Sequence, residues 1–320
     1  MKKNLSNYVL ALFSLVPLAV TAQKMPGTVE LLPLGDFEQW ATQDVKESSI
    51  LGGQVKRLYY IAPEAELDGE VFPNDLASIW GTSNTYARIM GIIKTSSSVE
   101  PDKGPTGLCA KLKTGFISCK AAGMFTINAI AQGSVYLGRC VRPVAGTKEP
   151  YSYMDWGIPF TERPVALIMD YKAELNKTGM LTKASSSKVT VTKGPDPEEI
   201  IFILQKRWED SKGNIHALRV GTAGTHITQD TQGWVTDARF DVLYGNAGSR
   251  LEPFLDLGTG VHKFHAVNSN GKAVPVVEEG WADADEQPTH AIIMITTGSQ
   301  GFCLGALDNT LWIDNLRLAY

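Results

Sequence analysis

The feature that most constrains this sequence is a set of short segments in which apolar and polar residues alternate with a period of two. In one of them, Val165, Leu167 and Met169 would lie on one side of an extended chain, and Asp170 and Lys172 on the other. Because successive side chains of a strand point to opposite faces, this alternation predicts a half-buried β-strand. Thirty glycines and sixteen prolines divide the chain into short pieces. These features predict an all-β protein with a jelly-roll-like β-sandwich.

Further strands are predicted from similar patterns at residues 188–193, 199–208, 238–244 and 291–297. The last of these is apolar in both phases, which is typical of a strand that is covered on both faces. The closing segment, residues 311–320, changes the phase of its alternation midway. A β-bulge near Asp314 would reconcile the two phases.

The first 22 residues have the three parts of a secretory signal peptide. Two lysines follow Met1, an apolar stretch follows them, and small residues lead to Ala22. A membrane anchor is the alternative, but Ser14 and Pro17 interrupt an apolar run that is shorter than the roughly 20 residues needed to span a bilayer. We therefore predict cleavage after Ala22 and export, either to the periplasm or to the cell surface and medium.

The remaining residues, 23–320, show no internal repeat and no linker, so we predict one domain with insertions near 44–75 and 245–271. The formal net charge of −4 provides no basic surface for nucleic acid. Four cysteines, Cys109, Cys119, Cys140 and Cys303, could form one or two disulfides in an oxidising compartment or remain buried thiols, and the sequence leaves both open.

Several segments together resemble the Putative carbohydrate metabolism domain (PCMD) family of exported Bacteroidetes proteins. They are residues 35–40 (Gly-Asp-Phe-Glu-Gln-Trp), 80–84 (Trp-Gly-Thr-Ser-Asn), 107–114, 156–167 (Trp-Gly-Ile-Pro-Phe-Thr-Glu-Arg-Pro-Val-Ala-Leu), 170–172, 288–290 and 311–316. The resemblance implies a jelly-roll-like sandwich similar to carbohydrate-binding modules. It also implies a role with poly- or oligosaccharides, but it supplies no catalytic residue.

Carboxylates on the predicted first and last strands suggest one metal site. In many jelly-roll sugar-binding modules a structural Ca²⁺ joins these two strands, and Asp36, Glu38 and Asp314 are placed to be its ligands. The alternative is that these carboxylates cap turns or pair with nearby basic residues.

Aromatic residues beside a carboxylate suggest a sugar-binding surface. Tyr153 and Trp156 flank Asp155, and an aromatic ring can pack against the apolar face of a sugar while a carboxylate accepts its hydroxyl protons. Trp80 and Asn84 could line the same surface. Burial in the core is the alternative for each ring, with Asn84 then supporting a turn.

A glycoside hydrolase is the main alternative to a binding protein. It needs two carboxyl groups on either side of the scissile bond, and Asp155 and Glu162 are the candidates. Asp170 is also available, although its position in the alternating pattern predicts that it lies on the solvated face of the strand.

A structural or adhesin-like envelope component without a sugar site is a third alternative. The sequence contains no serine-hydrolase elbow, phosphate loop or dinucleotide fingerprint. Carbohydrate binding through loop aromatics is therefore the function that the sequence favours.

Overall fold

The computed structural model describes residues 25–69, 72–73, 75–121, 125–146, 149–258 and 263–320. The predicted signal peptide lies outside these residues. The strands in the first half of the described chain are β1 (Val29–Leu31), β2 (Trp40–Lys46), β3 (Val55–Ile61), β4 (Ala65–Leu67), β5 (Trp80–Thr82), β6 (Thr85–Ile89), β7 (Ile92–Ser96), β8 (Val99–Lys103), β9 (Leu108–Lys113), β10 (Gly115–Ala121), β11 (Phe125–Ala131), β12 (Ser134–Cys140), β13 (Met154–Trp156) and β14 (Ile158–Pro159).

The strands in the second half are β15 (Ala166–Glu174), β16 (Met180–Ser185), β17 (Lys188–Lys193), β18 (Glu198–Glu209), β19 (Ile215–Ile227), β20 (Val235–Asp241), β21 (Leu243–Tyr244), β22 (His265–Val267), β23 (Ala273–Trp281), β24 (His290–Thr296), β25 (Leu304–Gly305) and β26 (Thr310–Ala319). Short 3₁₀ turns occur at Ser49–Leu51, Pro150–Tyr153, Gly248–Arg250 and Pro253–Leu255. The described residues form no α-helix, and they include no helix that is long and apolar enough to cross a bilayer.

Two large sheets form a β-sandwich with a jelly-roll-like arrangement. The six-stranded sheet has the order β20-β15-β26-β9-β8, with β1 paired to β26. The ten-stranded sheet has the order β13-β12-β24-β18-β19-β23-β22, with β5, β14 and β21 paired to its members. The predicted fold class is confirmed.

The core lies between these two sheets. From β18 it receives Ile200, Phe202 and Leu204, which are fully or almost fully buried, and from β15 it receives Leu167 and Met169. Fully burying each such side chain contributes about 1.5–3 kcal/mol. The period-two pattern that predicted the strands is therefore the pattern that builds the core.

The outer face of the ten-stranded sheet is also apolar. Ile201, Ile203, Ile292 and Met294 are buried there in a second cluster. Leu251, Phe254, Leu255 and Phe264, from the predicted insertion at 245–271, pack against this cluster. Strands β18 and β24 are therefore covered on both faces, as the apolar sequence of residues 291–297 predicts for β24.

The bulge predicted in the last strand is present. The pairing of β15 with β26 shifts register between the pairs Ile168–Arg317 and Asp170–Asp314. Asn315 takes the left-handed backbone conformation at φ 53°, which an asparagine tolerates better than most residues. The extra residue allows Ile313 and Leu316 both to be buried.

Smaller sheets stand beside the sandwich. Residues 40–67, much of which falls in the other predicted insertion, form the sheet β3-β2-β4, and β6 with β7 and β10 with β11 form separate hairpins. A third sheet has the order β17-β16-β25. The insertion near 44–75 is therefore largely regular structure in its described residues.

The fold also answers three questions that the sequence raised, about the burial of Val165, the burial of Asp170 and the state of the four cysteines. Val165 precedes β15 and is 45% exposed, so it does not join Leu167 in the core. Asp170 is buried, contrary to the predicted solvated face, because Asp237, Asn315 and Arg317 satisfy its carboxylate. All four cysteines are free thiols, so none of the disulfide alternatives is formed.

A candidate ligand cavity on the outer face of the ten-stranded sheet

A cavity of about 190 Å³ lies on the outer face of the ten-stranded sheet. Its floor comes from three adjacent strands and consists of Tyr136 on β12, Trp156 on β13, and Met294 and Thr296 on β24. Strands β12 and β24 are paired through Tyr136 and Met294. Sheet pairing therefore fixes the relative positions of these side chains.

One wall of the cavity is the β10–β11 hairpin, which joins a strand of the six-stranded sheet to a strand of the ten-stranded sheet. Ile117 pairs with Ala129 and Cys119 pairs with Ile127. All four side chains line the cavity. Because alternate residues of a hairpin share one face, Phe116, which precedes Ile117, lies on the opposite face and is 45% exposed.

The second wall is the β6–β7 hairpin, and the rim is formed by Gly146, by the segment 150–154 and by residues 301–302. The hairpin contributes Thr85, Ala87 and Ile89 from β6, and residues 94–96, which begin with Lys94, from β7. Tyr151 and Phe302 are the aromatic residues of the rim, and Phe302 is 43% exposed.

Trp156 is the centre of an aromatic cluster at the floor. Its ring centroid lies 4.3 Å from that of Tyr136, 5.3 Å from that of Phe264 and 6.3 Å from that of Tyr151. Tyr136 in turn lies against Gly81, where a Cβ atom would be 2.4 Å from Cζ of the tyrosine ring. Only glycine therefore allows the tyrosine to lie across β5, which gives a physical reason for the Trp-Gly-Thr segment.

Two polar atoms of this cluster have no hydrogen-bond partner. The hydroxyl oxygen of Tyr136 and Nε1 of Trp156 are both buried and unpaired. Leaving a buried donor without a partner costs about 1–3 kcal/mol. Because neither atom exposes any surface, both lie beneath the floor of the cavity.

The guanidinium of Arg207 fixes the backbone at Trp156. It donates a 2.8 Å hydrogen bond from Nη1 to the carbonyl oxygen of Trp156 and a 2.8 Å bond from Nε to Oε1 of Gln205. Burial lowers the pKa of Arg207 to about 10. Burial, with Arg207 nearby, also lowers the pKa of His290 to about 4, so this histidine is neutral at physiological pH.

One end of the floor is polar. Ser134 donates a 2.8 Å hydrogen bond to the hydroxyl of Thr296, and both residues line the cavity. Thr296 pairs across the ladder with Glu199, whose Oε1 lies 2.8 Å from Nε2 of His226. The cavity thus has hydroxyl groups at one end of an otherwise largely apolar interior.

Among the predicted sugar-binding residues, the structure brings only Trp156 to this cavity. Trp156 is 2% exposed, as its alternative of burial predicts, and its role in sugar binding stays a prediction. Tyr153 is also buried, and the guanidinium of Arg142 lies 4.7 Å from its ring centroid. Asp155 accepts a 2.9 Å hydrogen bond from the backbone N–H of Val267. Asp155 therefore holds the covering segment to β13.

Trp80 and Asn84 have structural positions, as their alternative predicted. Trp80 is buried and donates a 2.7 Å hydrogen bond to the carbonyl oxygen of Pro33. The amide of Asn84 donates to the carbonyl oxygens of Tyr59 and Val99, and its oxygen accepts from the backbone N–H groups of Ser98 and Val99. Asn84 thereby joins three separate chain segments.

We expect Asn84→Ala to lower the free energy of unfolding by about 2 kcal/mol, because four hydrogen bonds to the backbone are lost and partly buried groups are left unpaired. Urea denaturation followed by circular dichroism measures this value. Asn246→Ala is the control, since Asn246 makes one hydrogen bond at an exposed turn. Equal stability of the two variants would show that the Asn84 contacts are not stabilising.

The two predicted catalytic carboxylates have separate surroundings. Asp155 contacts Val267 and Arg139 next to the ten-stranded sheet. Glu162 accepts a hydrogen bond from the hydroxyl of Tyr320, just after the last strand of the six-stranded sheet. These contacts belong to different sheets and do not support a pair acting on one bond.

Two of the carboxylates predicted to bind calcium, Glu38 and Asp314, accept hydrogen bonds from backbone N–H groups. Glu38 accepts hydrogen bonds of 3.1 and 3.2 Å from the backbone N–H of Leu108. Burial, together with the nearby Asp170, Glu38 and Asp36, raises the pKa of Asp314 to about 6. Among the described residues, no three acidic, histidine or cysteine side chains converge as metal ligands. Calcium therefore gains no support from these contacts and stays a prediction.

A second cavity on the outer face, of about 330 Å³, contains the carboxylates Asp256 and Glu278. Glu278 forms a bidentate ion pair with Arg219 and accepts a 2.7 Å hydrogen bond from Gln205. Both of its oxygens are thus occupied by protein groups. This arrangement is more typical of a structural ion pair than of a catalytic acid.

Most residues of the first cavity could not be identified from the sequence, including Tyr136, Tyr151, Ile117, Ala129 and Phe302. These residues are far apart in the sequence, and β6, β11, β12 and β24 approach one another only in the folded protein. One signal was present. The hairpin segments 115–121 and 125–131 alternate apolar residues on one face, which marks a face that needs a partner.

The sequence matches the family model described as Putative carbohydrate metabolism domain over residues 36–240. The chain belongs to this family. Its function is therefore related to carbohydrate. The PCMD match includes β12 and β13, the β6–β7 and β10–β11 hairpins, and most of the inner core strands. A comparison with curated proteins found no match.

Three solved structures resemble this PCMD protein distantly. One is described as a "putative glycoside hydrolase" from Bacteroides thetaiotaomicron, with 18% identity, 75% of this chain and 62% of that chain covered, and a TM-score of 0.45. This chain thus spans less than two thirds of that protein. A second, with the same description, is from Bacteroides vulgatus (16% identity, 93% and 99% covered, TM-score 0.41). The third is a family 11 carbohydrate-binding module of a Clostridium thermocellum cellulosomal cellulase (11% identity, 76% and 88% covered, TM-score 0.27).

Proposed function

We propose that this protein is an exported carbohydrate-binding protein and that the cavity between the two hairpins is its binding site. The observation that carries the proposal is the composition of the cavity, in which aromatic side chains and hydroxyl groups meet in a preformed concave site. Ligand sites are concave, mostly apolar and supplied with a few polar groups that orient the ligand. Family membership supplies the class of ligand.

Binding is better supported than hydrolysis because of the acidic residues. Among the described residues that line the cavity, none is an aspartate or a glutamate. A glycosidase of the usual kind needs two carboxyl groups beside the scissile bond. An aromatic cavity of this composition can hold a ligand, but it provides neither a general acid nor a nucleophile.

Export is the second part of the proposal, and it depends on the sequence of the first 22 residues. A charged start, an apolar stretch and the small residues that end at Ala22 have the order of a signal peptide. Mass spectrometry of the protein recovered from its host should give a mature N-terminus at Gln23. Recovery of the intact N-terminus would contradict export by this route.

We expect the purified protein to bind members of a glycan array without releasing reducing sugar. Gly146→Trp should abolish binding, because Gly146 lines the cavity and a Cβ atom there would meet no atom within 4 Å, so the indole can occupy the free space. Val191→Trp is the control, since it adds the same side chain at a 55% exposed position on β17. Release of sugar, or equal binding by both variants, would contradict the proposal.

A further inference from the structure

We infer that the ligand is a glycan with an apolar substituent, such as an acyl chain or an aromatic aglycone, and that the substituent occupies the cavity while the sugar lies at its rim. This inference rests on the proposed function and specifies its ligand class. It follows from the chemistry of the walls, from the few polar groups that the interior offers and from the size of the space.

The walls present carbon atoms almost throughout. Side chains from the β10–β11 hairpin (Ile117, Cys119, Ile127, Ala129), from β6 (Ala87, Ile89) and from the sheet (Met294) surround the space. An unsubstituted sugar has hydroxyl groups around its whole edge, and each buried hydroxyl without a partner is costly. A site for such a ring would need polar side chains on several sides that are free to bind it. Polar side chains of the lining such as Thr85 and Gln132 already donate to backbone carbonyl groups.

The charged group of the lining is already paired. Lys94 lies 3.0 Å from Oε2 of Glu47, and Oε1 of the same carboxylate accepts hydrogen bonds from the N–H and hydroxyl of Thr95. The lysine charge is therefore neutralised inside the protein. The interior does not favour an anionic ligand such as a uronic acid or a sulfated sugar.

The size and polarity of the cavity fit a single apolar group with an oxygen atom attached to it. A cavity of about 150 Å³ with apolar walls can hold a benzene ring, and this one measures about 190 Å³. The rings of Trp156 and Tyr136 form part of its floor, and their unpaired polar atoms are buried beneath it. An ester or glycosidic oxygen beside the apolar group can accept a hydrogen bond from the hydroxyl of Thr296, which itself accepts one from Ser134. Ser134 and Thr296 add hydroxyl groups at one end of the floor.

The test compares ligands that differ only in the apolar group. Isothermal titration calorimetry with the full protein uses methyl and n-octyl β-D-glucopyranosides, the corresponding maltosides, and 1-octanol, all below micelle-forming concentrations. We expect at least one octyl glycoside to bind at least tenfold more tightly than its methyl counterpart and than octanol. Equal binding of methyl and octyl glycosides would overturn the inference and keep the proposed function.

Matched variants locate the binding. Ala129→Asp places a carboxylate on the cavity face of the β10–β11 hairpin, and Phe116→Asp places one on the opposite, exposed face. We expect only the first to weaken octyl glycoside binding, by tenfold or more. Gly146→Trp, which fills the space without adding charge, serves as the second blocking variant if Ala129→Asp does not fold.

The remaining outcomes also decide the inference. If octanol binds as tightly as every octyl glycoside, the cavity is an apolar site without sugar recognition, and both the inference and the proposed function fail. If no probe binds while the glycan array shows binding that Gly146→Trp removes, only the inference fails. If Ala129→Asp and Phe116→Asp weaken binding equally, the ligand does not occupy the cavity.

Discussion

Trp156→Ala should lower the free energy of unfolding by about 3–5 kcal/mol, which is the usual cost of truncating a large buried aromatic residue. The ring is 2% exposed and contacts Tyr136, Tyr151 and Phe264. Its removal would enlarge the cavity and leave these rings without packing partners. Urea denaturation, monitored by fluorescence of the other tryptophans and by circular dichroism, measures the change.

The control for this variant is Trp208→Ala. Trp208 is 40% exposed and stacks on His216 with a centroid distance of 5.5 Å, so its removal should cost less than about 1 kcal/mol. Equal losses in the two variants would show that burial of Trp156 does not contribute to stability. Loss of glycan binding in Trp156→Ala alone would not identify a contact residue, because the floor of the site would be disrupted. Blocking variants such as Gly146→Trp are the better test of the site.

The fold could be predicted from the sequence because its strands are locally encoded. Alternation of apolar residues in β15 and continuous apolar sequence in β18 and β24 reflect whether one or two faces of a strand are covered. The bulge at Asn315 was predictable for the same reason, since a change of phase must be absorbed somewhere along the strand. Pairing partners of the strands were not predictable, because they depend on contacts between distant segments.

The candidate site could not be predicted in the same way. Trp156 stands in a segment that has the composition of a sugar-binding loop, yet the segment is β13 and is covered by Phe264 and Tyr151. An aromatic residue that is exposed in a loop and one that is buried under a loop have the same sequence pattern. What decides between them is the covering segment, more than a hundred residues further along the chain.

Family motifs also have structural explanations that their sequences do not reveal. Gly81 is required because Tyr136 lies against it, and Asn84 is required because it bonds the backbone of two other segments. Gly107 leaves room for the carboxylate of Glu38, which a Cβ atom would approach to 1.9 Å. These motifs therefore report on how the sandwich is assembled, whereas the composition of the cavity bears on its ligand.

A buried carboxyl group should make the stability of the protein fall as the pH rises above neutrality. Glu198 is fully buried at the start of β18, and neither of its oxygens has a hydrogen-bond partner. Burial, together with the nearby Asp196 and Asp230, raises its pKa from 4.5 to about 9. Tyr171 is the other titratable group that interacts with it, and it is uncharged in this pH range.

The direction follows from proton binding in the two states. Below pH 4.5 the carboxyl is protonated in both the folded and the unfolded chain, and its full contribution to stability is present. Between pH 4.5 and about 9 the unfolded chain releases this proton and the folded chain keeps it, so the free energy of unfolding falls by up to about 1.4 kcal/mol per pH unit. Above about pH 9 both states are ionised and the contribution has been lost.

The measurement is the difference in unfolding free energy between Glu198→Gln and the wild type at pH 7, 8 and 9. Glutamine has nearly the same shape and carries no titrating proton, so the variant should gain about 2 kcal/mol relative to the wild type over this range. Asp314, with a pKa of about 6, and His290, with a pKa of about 4, titrate below this range. Glu66→Gln, at an exposed position on β4, is the control and should show a constant difference. A constant difference for Glu198→Gln as well would mean that Glu198 is ionised in the folded protein, and its burial would then require a cation or a water network to stabilise the charge.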